Sequence, residues 1–525
     1  MEAAVLEVVS TINSYLSNYV LLILLIGTGL FFTIRTKGVQ FRCFGEGWKK
    51  MFGEFSLAGG DRGGSMSSFQ AVATAVAAQV GTGNIVGACG AILIGGPGAI
   101  LWMWIIALLG MATNYAEATL AQKTKVVDAQ GNTHGGPVYY ITTAFKGGGG
   151  RALAVFFAIS VIIALGFIGP MVQSNSIGET MNHAFGIPTW VVGLFVAVFA
   201  GFIFIGNLHR LASVTEKLVP IMAVLYIAGS IVVLVMNAEH LGEAIGLIFT
   251  CAFNPSAGLG GAFFGIWAAV TQGAKRGLFS NEAGMGSTPH AHALADVKDP
   301  HDQGVVAMIG VFIDTIIVVT MTALVVISIL YTGDGPLATA YQNAGQYDTV
   351  AEFVAAEGDA IVEGYTLDAN GDLVDADGAA VLTNDDMNDP AKLAGAIGIS
   401  KTNMAQIAFG KFMTTNGGAI FICLCLLFFA FSTILSWNLF AKLNVQYLFR
   451  NKNDKAPVLA FALIAAFFTF LGTVLQNDIV WELQDMFNQL MVLPNAIALI
   501  ALSGFVVKCS HARSSKTEEL MNEEL

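Results

Sequence analysis

Charge is what this sequence has least of. Only 12% of its 525 residues are Asp, Glu, Lys or Arg, while 55% are hydrophobic. Soluble domains carry about 25% charged residues, so a water-soluble fold is excluded. A cysteine framework is also missing. Cys43, Cys89, Cys251, Cys423, Cys425 and Cys509 are scattered, with neither pairing nor metal-ligand spacing. There is no basic surplus, since 25 Lys and Arg stand against 37 Asp and Glu, so nucleic acid is not a partner. No Ser–His or Cys–His pairing falls in the apolar segments, which leaves an intramembrane enzyme without an activated nucleophile. A repeated selectivity-filter motif, the mark of a channel, is absent as well. The first apolar run, 15–34, has no small-residue cleavage site after it and is too long for a signal peptide, so it reads as a retained helix.

What is present is a series of long apolar runs. They fall at 15–35, 66–94, 97–121, 151–178, 188–206, 213–236, 260–290, 303–331, 411–440, 456–475 and 482–507. Runs of roughly 20 residues predict an all-α polytopic membrane protein of about eleven transmembrane helices. Loops after odd-numbered spans carry Lys and Arg, and the others are poor in them, which predicts the N-terminus outside and the C-terminus inside a cell inner (plasma) membrane. The net charge of −12 is local. Residues 331–400 hold thirteen acidic residues and one basic one, Lys392. This stretch, after span eight, is expected outside, as a solvated, turn-rich loop. Asp368-Ala369-Asn370-Gly371 resembles a calcium loop only superficially, because the EF-hand glycine and glutamate positions are not met.

Spans two to six and seven to eleven form two five-helix sets of opposite orientation, the requirement for an inverted repeat. The predicted division is an extra N-terminal helix and cytoplasmic linker in 1–64, a first repeat in 65–240, and a second in 241–510 containing the acidic extracellular insert 333–405. A cytoplasmic tail, 511–525, follows. Each repeat opens with a weakened helix. Span two contains Gly81-Thr82-Gly83-Asn84, and span seven is expected to break near Thr271-Gln272-Gly273. Unwinding frees N–H groups that can hold a carboxylate and carbonyls that can hold a cation. Small residues also serve close helix packing, the alternative reading of either break alone.

Other polar residues lie at membrane depth. Asp314 could ligate an ion, relay a proton, or pair with Lys275 or Arg276. Glu117, near the inner end of span three, reads as a snorkelling or ion-paired group. Gln173 can reach a central substrate, whereas Asn175 caps or packs. Ser432, Thr433 and Ser436 could ligate an alkali cation or bond back to the preceding turn. Trp437, one turn after Thr433, could close a pocket or fill the bundle. His290, His292 and His301 lie at or beyond the end of span seven and read as structural rather than as zinc ligands.

The run "GGPGAILWMWIIALLG", Gly95 to Gly110, resembles the signature of the alanine or glycine:cation symporters, departing at Leu101 where phenylalanine is usual. "FSNEAGMGS" and "IDTIIVVT" are similar to further blocks of that family. The resemblance implies a LeuT-type 5+5 inverted repeat with one extra N-terminal helix. It also implies a sodium-coupled importer of a small neutral amino acid, alanine or glycine, with no cofactor. "GTGNI" resembles the break of that fold's first core helix. Carried over, Thr82 and Gly83 amides would hold the substrate carboxylate. Ala77 and Val80 carbonyls with Ser432 and Thr433 would hold sodium. Gln79 and Asn84 match positions near a second ion site, beside which Asp314 could itself replace an ion. Gln173, Thr271, Gln272, Gly273 and Trp437 complete the expected pocket. Proton coupling through Asp314 and an ion channel are the rival readings.

The charge pattern makes a topological prediction. A cysteine at Ala376 should react with an impermeant thiol reagent added outside intact cells, and one at Asn453 should not. Reversed labelling would overturn both the topology and the inverted repeat.

Overall fold

In a computed structural model the described residues are 2–53, 65–129, 131–206, 208–254, 265–450 and 454–512. The linker stretch 54–64, Asn453 and the tail from 513 lie outside them. Each expected apolar segment is mainly helical over its described residues, apart from the interruptions near 80–81 and 282–288 and at segment ends. Among the described residues six helices are long and apolar enough to cross a bilayer unbroken, and two bent pairs raise that to eight. The bent pairs are Ser68–Gln79 with Gly83–Gly95, at 45°, and Asn477–Ala501 with Ser503–His511, at 63°. Thr189–Phe204 and Lys455–Leu471 are apolar but shorter, and Ile266–Asn281 is interrupted in hydropathy by Lys275 and Arg276. Thr189–Phe204 leaves Phe195, Val198, Phe199 and Phe202 exposed, as a helix against lipid does.

The helices sort into two packed groups. Span two, Ala99–Thr124, Ile266–Asn281 and Pro300–Leu330 pack on one another as a bundle. Gly148–Phe185, Thr189–Phe204, Thr415–Phe449 and Lys455–Leu471 pack as a scaffold. Each group draws its members from corresponding positions of the two five-helix sets. The extra N-terminal helix, Leu6–Arg35, lies against Ala99–Thr124 and Asn477–Ala501. Helix Ala238–Phe253 straddles the expected repeat boundary at 240 and packs on both Ala99–Thr124 and Pro300–Leu330.

Local sequence explains where the bundle's first helix starts. Ser67 accepts from the Gln70 N–H at 3.1 Å, and Gln70 Oε1 accepts from the Ser67 N–H at 3.1 Å, a reciprocal cap. Just before it, Met66 pairs with the strand after span seven. Its N–H donates to Leu294 O at 2.8 Å, and its carbonyl accepts from Asp296 N–H at 2.9 Å. One end of the first broken span is thereby stitched to the far side of the second.

The insert departs from the solvated loop expected of it. It contains helices Pro336–Ala344, Val350–Glu357 and Pro390–Ala396 and a three-stranded antiparallel sheet, Thr366–Leu367, Leu373–Val374 and Ala380–Leu382. Leu337, Tyr341, Phe353, Leu373, Leu382 and Leu393 are fully buried in it. The acidic residues do not oppose this, because they work as turn and cap acceptors. Asp368 Oδ1 accepts from the N–H groups of Asn370 and Asp372 at 2.8 and 2.9 Å, and Asp389 caps Pro390–Ala396. Composition registered the charges and missed that the apolar residues between them share one side.

A folded insert should respond to the loss of its core. Phe353→Ala should cost about 3–5 kcal/mol locally. Amide exchange over 336–396 should then rise well above that of the bundle. Unchanged protection would mean that the insert has no cooperative core.

Candidate functional site

The first break can be followed bond by bond. In an unbroken helix the N–H groups of Gly81 and Thr82 would bond to the carbonyls of Ala77 and Ala78. Here Val80 makes the last helical bond, to Val76 O at 2.7 Å, and turns extended with ψ 90°. The Gly81 N–H goes instead to Asn84 Oδ1 at 2.8 Å. The Thr82 N–H goes to Gln173 Oε1 at 3.1 Å, and the Thr82 hydroxyl donates to the same oxygen at 2.6 Å. The carbonyls of Ala77 and Ala78 are left without their helical donors.

Those carbonyls face the scaffold. Thr433 Oγ1 lies 2.9 Å from Ala77 O, 3.3 Å from Ala78 O and 3.1 Å from Phe429 O. Ser432 Oγ lies 2.9 Å from Phe429 O and 3.5 Å from Ala77 O. Two hydroxyl protons cannot serve all of these contacts, so acceptors outnumber donors. An oxygen-rich, donor-poor point of this kind suits a hard cation. Of the four predicted sodium ligands, the structure brings Ala77, Ser432 and Thr433 together, while Val80 is the residue at which the helix ends.

The second break is not where the sequence suggested. Thr271, Gln272 and Gly273 lie inside the continuous helix Ile266–Asn281. Thr271 Oγ1 bonds back to Trp267 O, and Gly273 is pressed against Ala99 and Trp102 of the neighbouring helix. That glycine serves helix packing, the alternative reading. The chain leaves the helix nine residues after Gly273, at Glu282, whose φ is +59°, followed by Gly284 at +90° and Gly286 at +80°. The glycine pair in "EAGMGS" was the sequence signal for it, since glycine adopts positive φ without strain.

Two buried carboxylates hold this second break, and the sequence reading undervalued both. Glu117 accepts from the N–H groups of Gly284 and Gly286, at 3.1 and 3.0 Å, and from Asn495 Nδ2 at 2.6 Å. It is fully buried, which corrects the snorkelling role expected of it. Glu282 accepts from the Ser287 hydroxyl and from Trp437 Nε1, the latter at 2.5 Å. Trp437 is therefore anchored from scaffold to bundle rather than standing as a plain wall.

Asp314 joins the two breaks. It accepts from Asn84 Nδ2 at 2.5 Å, from Ser280 Oγ at 2.9 Å and from Thr315 Oγ1 at 2.7 Å. Lys275 and Arg276 do not pair with it. Both reach Asp485, at 3.1 Å each, and Arg276 lies over the Trp481 ring. Gln79 Nε2 donates to Asn281 O at 2.7 Å, a direct link between the breaks. A Cβ on Gly83 would come within 2.9 Å of Phe279 and 3.0 Å of Ser280, so its missing side chain admits the second break's helix. Asn175 bonds Gly472 O at 2.9 Å, the capping role expected. His290 bonds Ser287 O and Asn444, and His292 bonds Gln303, so both are engaged structurally.

The model of the sodium:alanine symporter family matches residues 2–357 and 376–524. An uncharacterized transporter of Haemophilus influenzae is 37% identical over 506 residues, covering 96% of this chain and 94% of that protein. The sodium/alanine symporter AgcS of Methanococcus maripaludis is 35% identical over 502 residues, covering 95% of each. Among solved structures, MhsT in complex with L-phenylalanine aligns with TM-score 0.50 at 14% identity, covering 88% of this chain and 96% of that one. At that identity the likeness bears on fold alone, which is LeuT-type.

Glu117 offers a sharp test of the site's wiring. Glu117→Gln keeps the shape but turns an amide toward groups that donate. It should cost about 1–3 kcal/mol, the usual penalty of an unmet buried group. The melting temperature of the purified protein should fall accordingly. An unchanged value would return Glu117 to the periphery.

Proposed function

We infer that this chain, which belongs to the sodium:alanine symporter family, carries a small neutral amino acid, alanine or glycine, into the cell together with sodium. The observation that carries the reading is the exchange of partners at the first break. Gln173 Oε1, a carbonyl oxygen, takes the N–H and hydroxyl of Thr82. A substrate carboxylate presents the same acceptor chemistry with a full charge, and would take over these donors and the amide of Gly83. The ammonium end would turn to the second break. There the carbonyls of Phe279 and Ser280 lose their helical donors, because Ala283 N–H goes to Asn281 Oδ1 and Gly284 N–H to Glu117. A zwitterion laid across both breaks keeps its charges compensated away from water.

Sodium would occupy the point where Ala77 O, Thr433 Oγ1 and Ser432 Oγ converge, with Val80 O completing the set. Its charge would fix the bundle half of span two against scaffold helix Thr415–Phe449. Binding would thereby favour one arrangement of bundle on scaffold, which is how an ion's gradient is coupled to a substrate's. The acidic insert lies outside and the C-terminus inside on this reading. A second reading, proton coupling, is favoured by one observation. Asp314 is fully buried and held by neutral donors alone, without a basic partner among the described residues.

Thr433→Val removes one oxygen at nearly constant shape. The apparent sodium affinity of alanine uptake in proteoliposomes should fall at least about tenfold, about 1.4 kcal/mol. Unchanged sodium dependence in a folded variant would move the coupling to Asp314. In the same assay alanine, glycine and serine should compete for uptake while leucine and phenylalanine do not. Leucine uptake by the wild type would sink the small-pocket reading.

A further inference from the structure

Three glycines in the second half of span two, Gly83, Gly87 and Gly90, are spaced to share one helix face. A Cβ placed on each would meet a side chain from a different element. On Gly83 it would meet Phe279 of span seven at 2.9 Å. On Gly87 it would meet Trp481 of span eleven at 3.7 Å, and on Gly90 the Lys401 stem, from the insert, at 3.7 Å. The three side chains form a column along the glycines. Phe279 and Trp481 have ring centroids 4.9 Å apart, and the Lys401 ammonium stands 5.4 Å from the Trp481 centroid. At its deep end Phe279 meets Trp437 edge-on at 5.8 Å.

The indole of Trp481 is held by its faces and not by its polar edge. Its Nε1 is buried without a hydrogen-bond partner among the described residues. Two cations lie over the ring, Lys401 and, at 4.7 Å, Arg276. Each cation is anchored by its own carboxylate, Lys401 by Asp478 at 2.8 Å and Arg276 by Asp485 at 3.1 Å. The turn that carries Lys401 is itself fixed. Asn403 Oδ1 accepts from Ser400 N–H at 2.8 Å, and Asn403 Nδ2 donates to Gly398 O at 2.8 Å. A Cβ would fit at Gly87 and Gly90 at ordinary van der Waals distance, so no side chain of span two interlocks with Trp481 or the Lys401 stem at these two positions.

We propose that Lys401 is a positioning residue for transport: through it the insert holds Trp481 and Phe279 down over the Gly81–Gly83 break and closes that end of the substrate path. The proposal rests on the symporter reading above. It gives the insert a role that charge alone does not. The insert sets how readily the column lifts, through one ammonium on an indole face.

The test uses the full chain, purified in detergent, with Gly90→Cys as reporter beneath the Lys401 stem. The six native cysteines are buried, and the chain without the reporter supplies the background. The rate of labelling by a small cationic methanethiosulfonate is measured. Lys401→Met should raise it about fivefold, the worth of one cation–π contact. Lys401→Arg should restore the slow rate. Asp478→Asn, a change outside the insert that removes the carboxylate anchoring Lys401, should raise the rate in the same direction. Melting temperatures taken alongside separate opening from unfolding. A Lys401→Met or Asp478→Asn rate equal to the reporter's own, in folded protein, overturns the proposal. Alanine with sodium should slow labelling of the reporter chain. If they do not, while Lys401→Met still speeds it, the substrate reading fails and the column stands.

Discussion

Everything in the centre of this molecule depends on one constraint. Backbone that leaves a helix inside a bilayer has no water to turn to, and each unmet group costs several kcal/mol. The chain leaves its helix twice in the bundle, at Val80 and at Glu282. The freed groups are met by side chains placed for them. Asn84 and Gln173 take the donors of the first break, and Glu117 and Asn281 take those of the second. Gln79 then ties a carbonyl of the second break to the first. The two breaks are one polar assembly, and neither would be tolerated without the other.

The same constraint separates what could be read in the sequence from what could not. Apolar run length is a direct consequence of bilayer thickness, so the helices stood out. The first break was legible because Gly81, Thr82, Gly83 and Asn84 are polar or small where span two is otherwise apolar. In span seven the break was expected at Thr271-Gln272-Gly273, but that glycine lets Ala99 and Trp102 approach, and the chain leaves its helix at Glu282, ahead of Gly284 and Gly286. Side-chain partners joined across long sequence separations were beyond reach. Glu117 and Gly284 are 167 residues apart, and nothing local to either announces the other. The insert failed for a different reason, since mean polarity hides a core of only a few well-spaced side chains.

Several of the contacts that cross between bundle and scaffold are polar and replaceable. Thr82 with Gln173, Ala77 with Thr433, and Glu282 with Trp437 each join one group to the other. Apolar interlocking would fix the two groups rigidly, because packed cores resist deformation. Hydrogen bonds of about 0.5–1.5 kcal/mol net can be exchanged for bonds to a substrate or an ion at little cost. A carrier that must move one group against the other is served by such contacts, and by glycine faces on which aromatic rings rest without locking.

The distribution of charge carries the argument one step further. Asp314, Glu117 and Glu282 are all fully buried, and none has a basic partner among the described residues. Two cations of the bundle, Lys275 and Arg276, are committed to Asp485. Buried carboxylates without counter-charge are costly, and neutral hydrogen bonds offset only part of that cost. The centre is therefore biased toward positive charge before any ligand arrives. A proton, a sodium ion or an ammonium group entering it relieves a penalty that the fold already carries. On the symporter reading, the bias is local to the second break and Asp314, where a substrate's ammonium group would face it, and it is separate from the oxygen cluster of Ala77, Ser432 and Thr433.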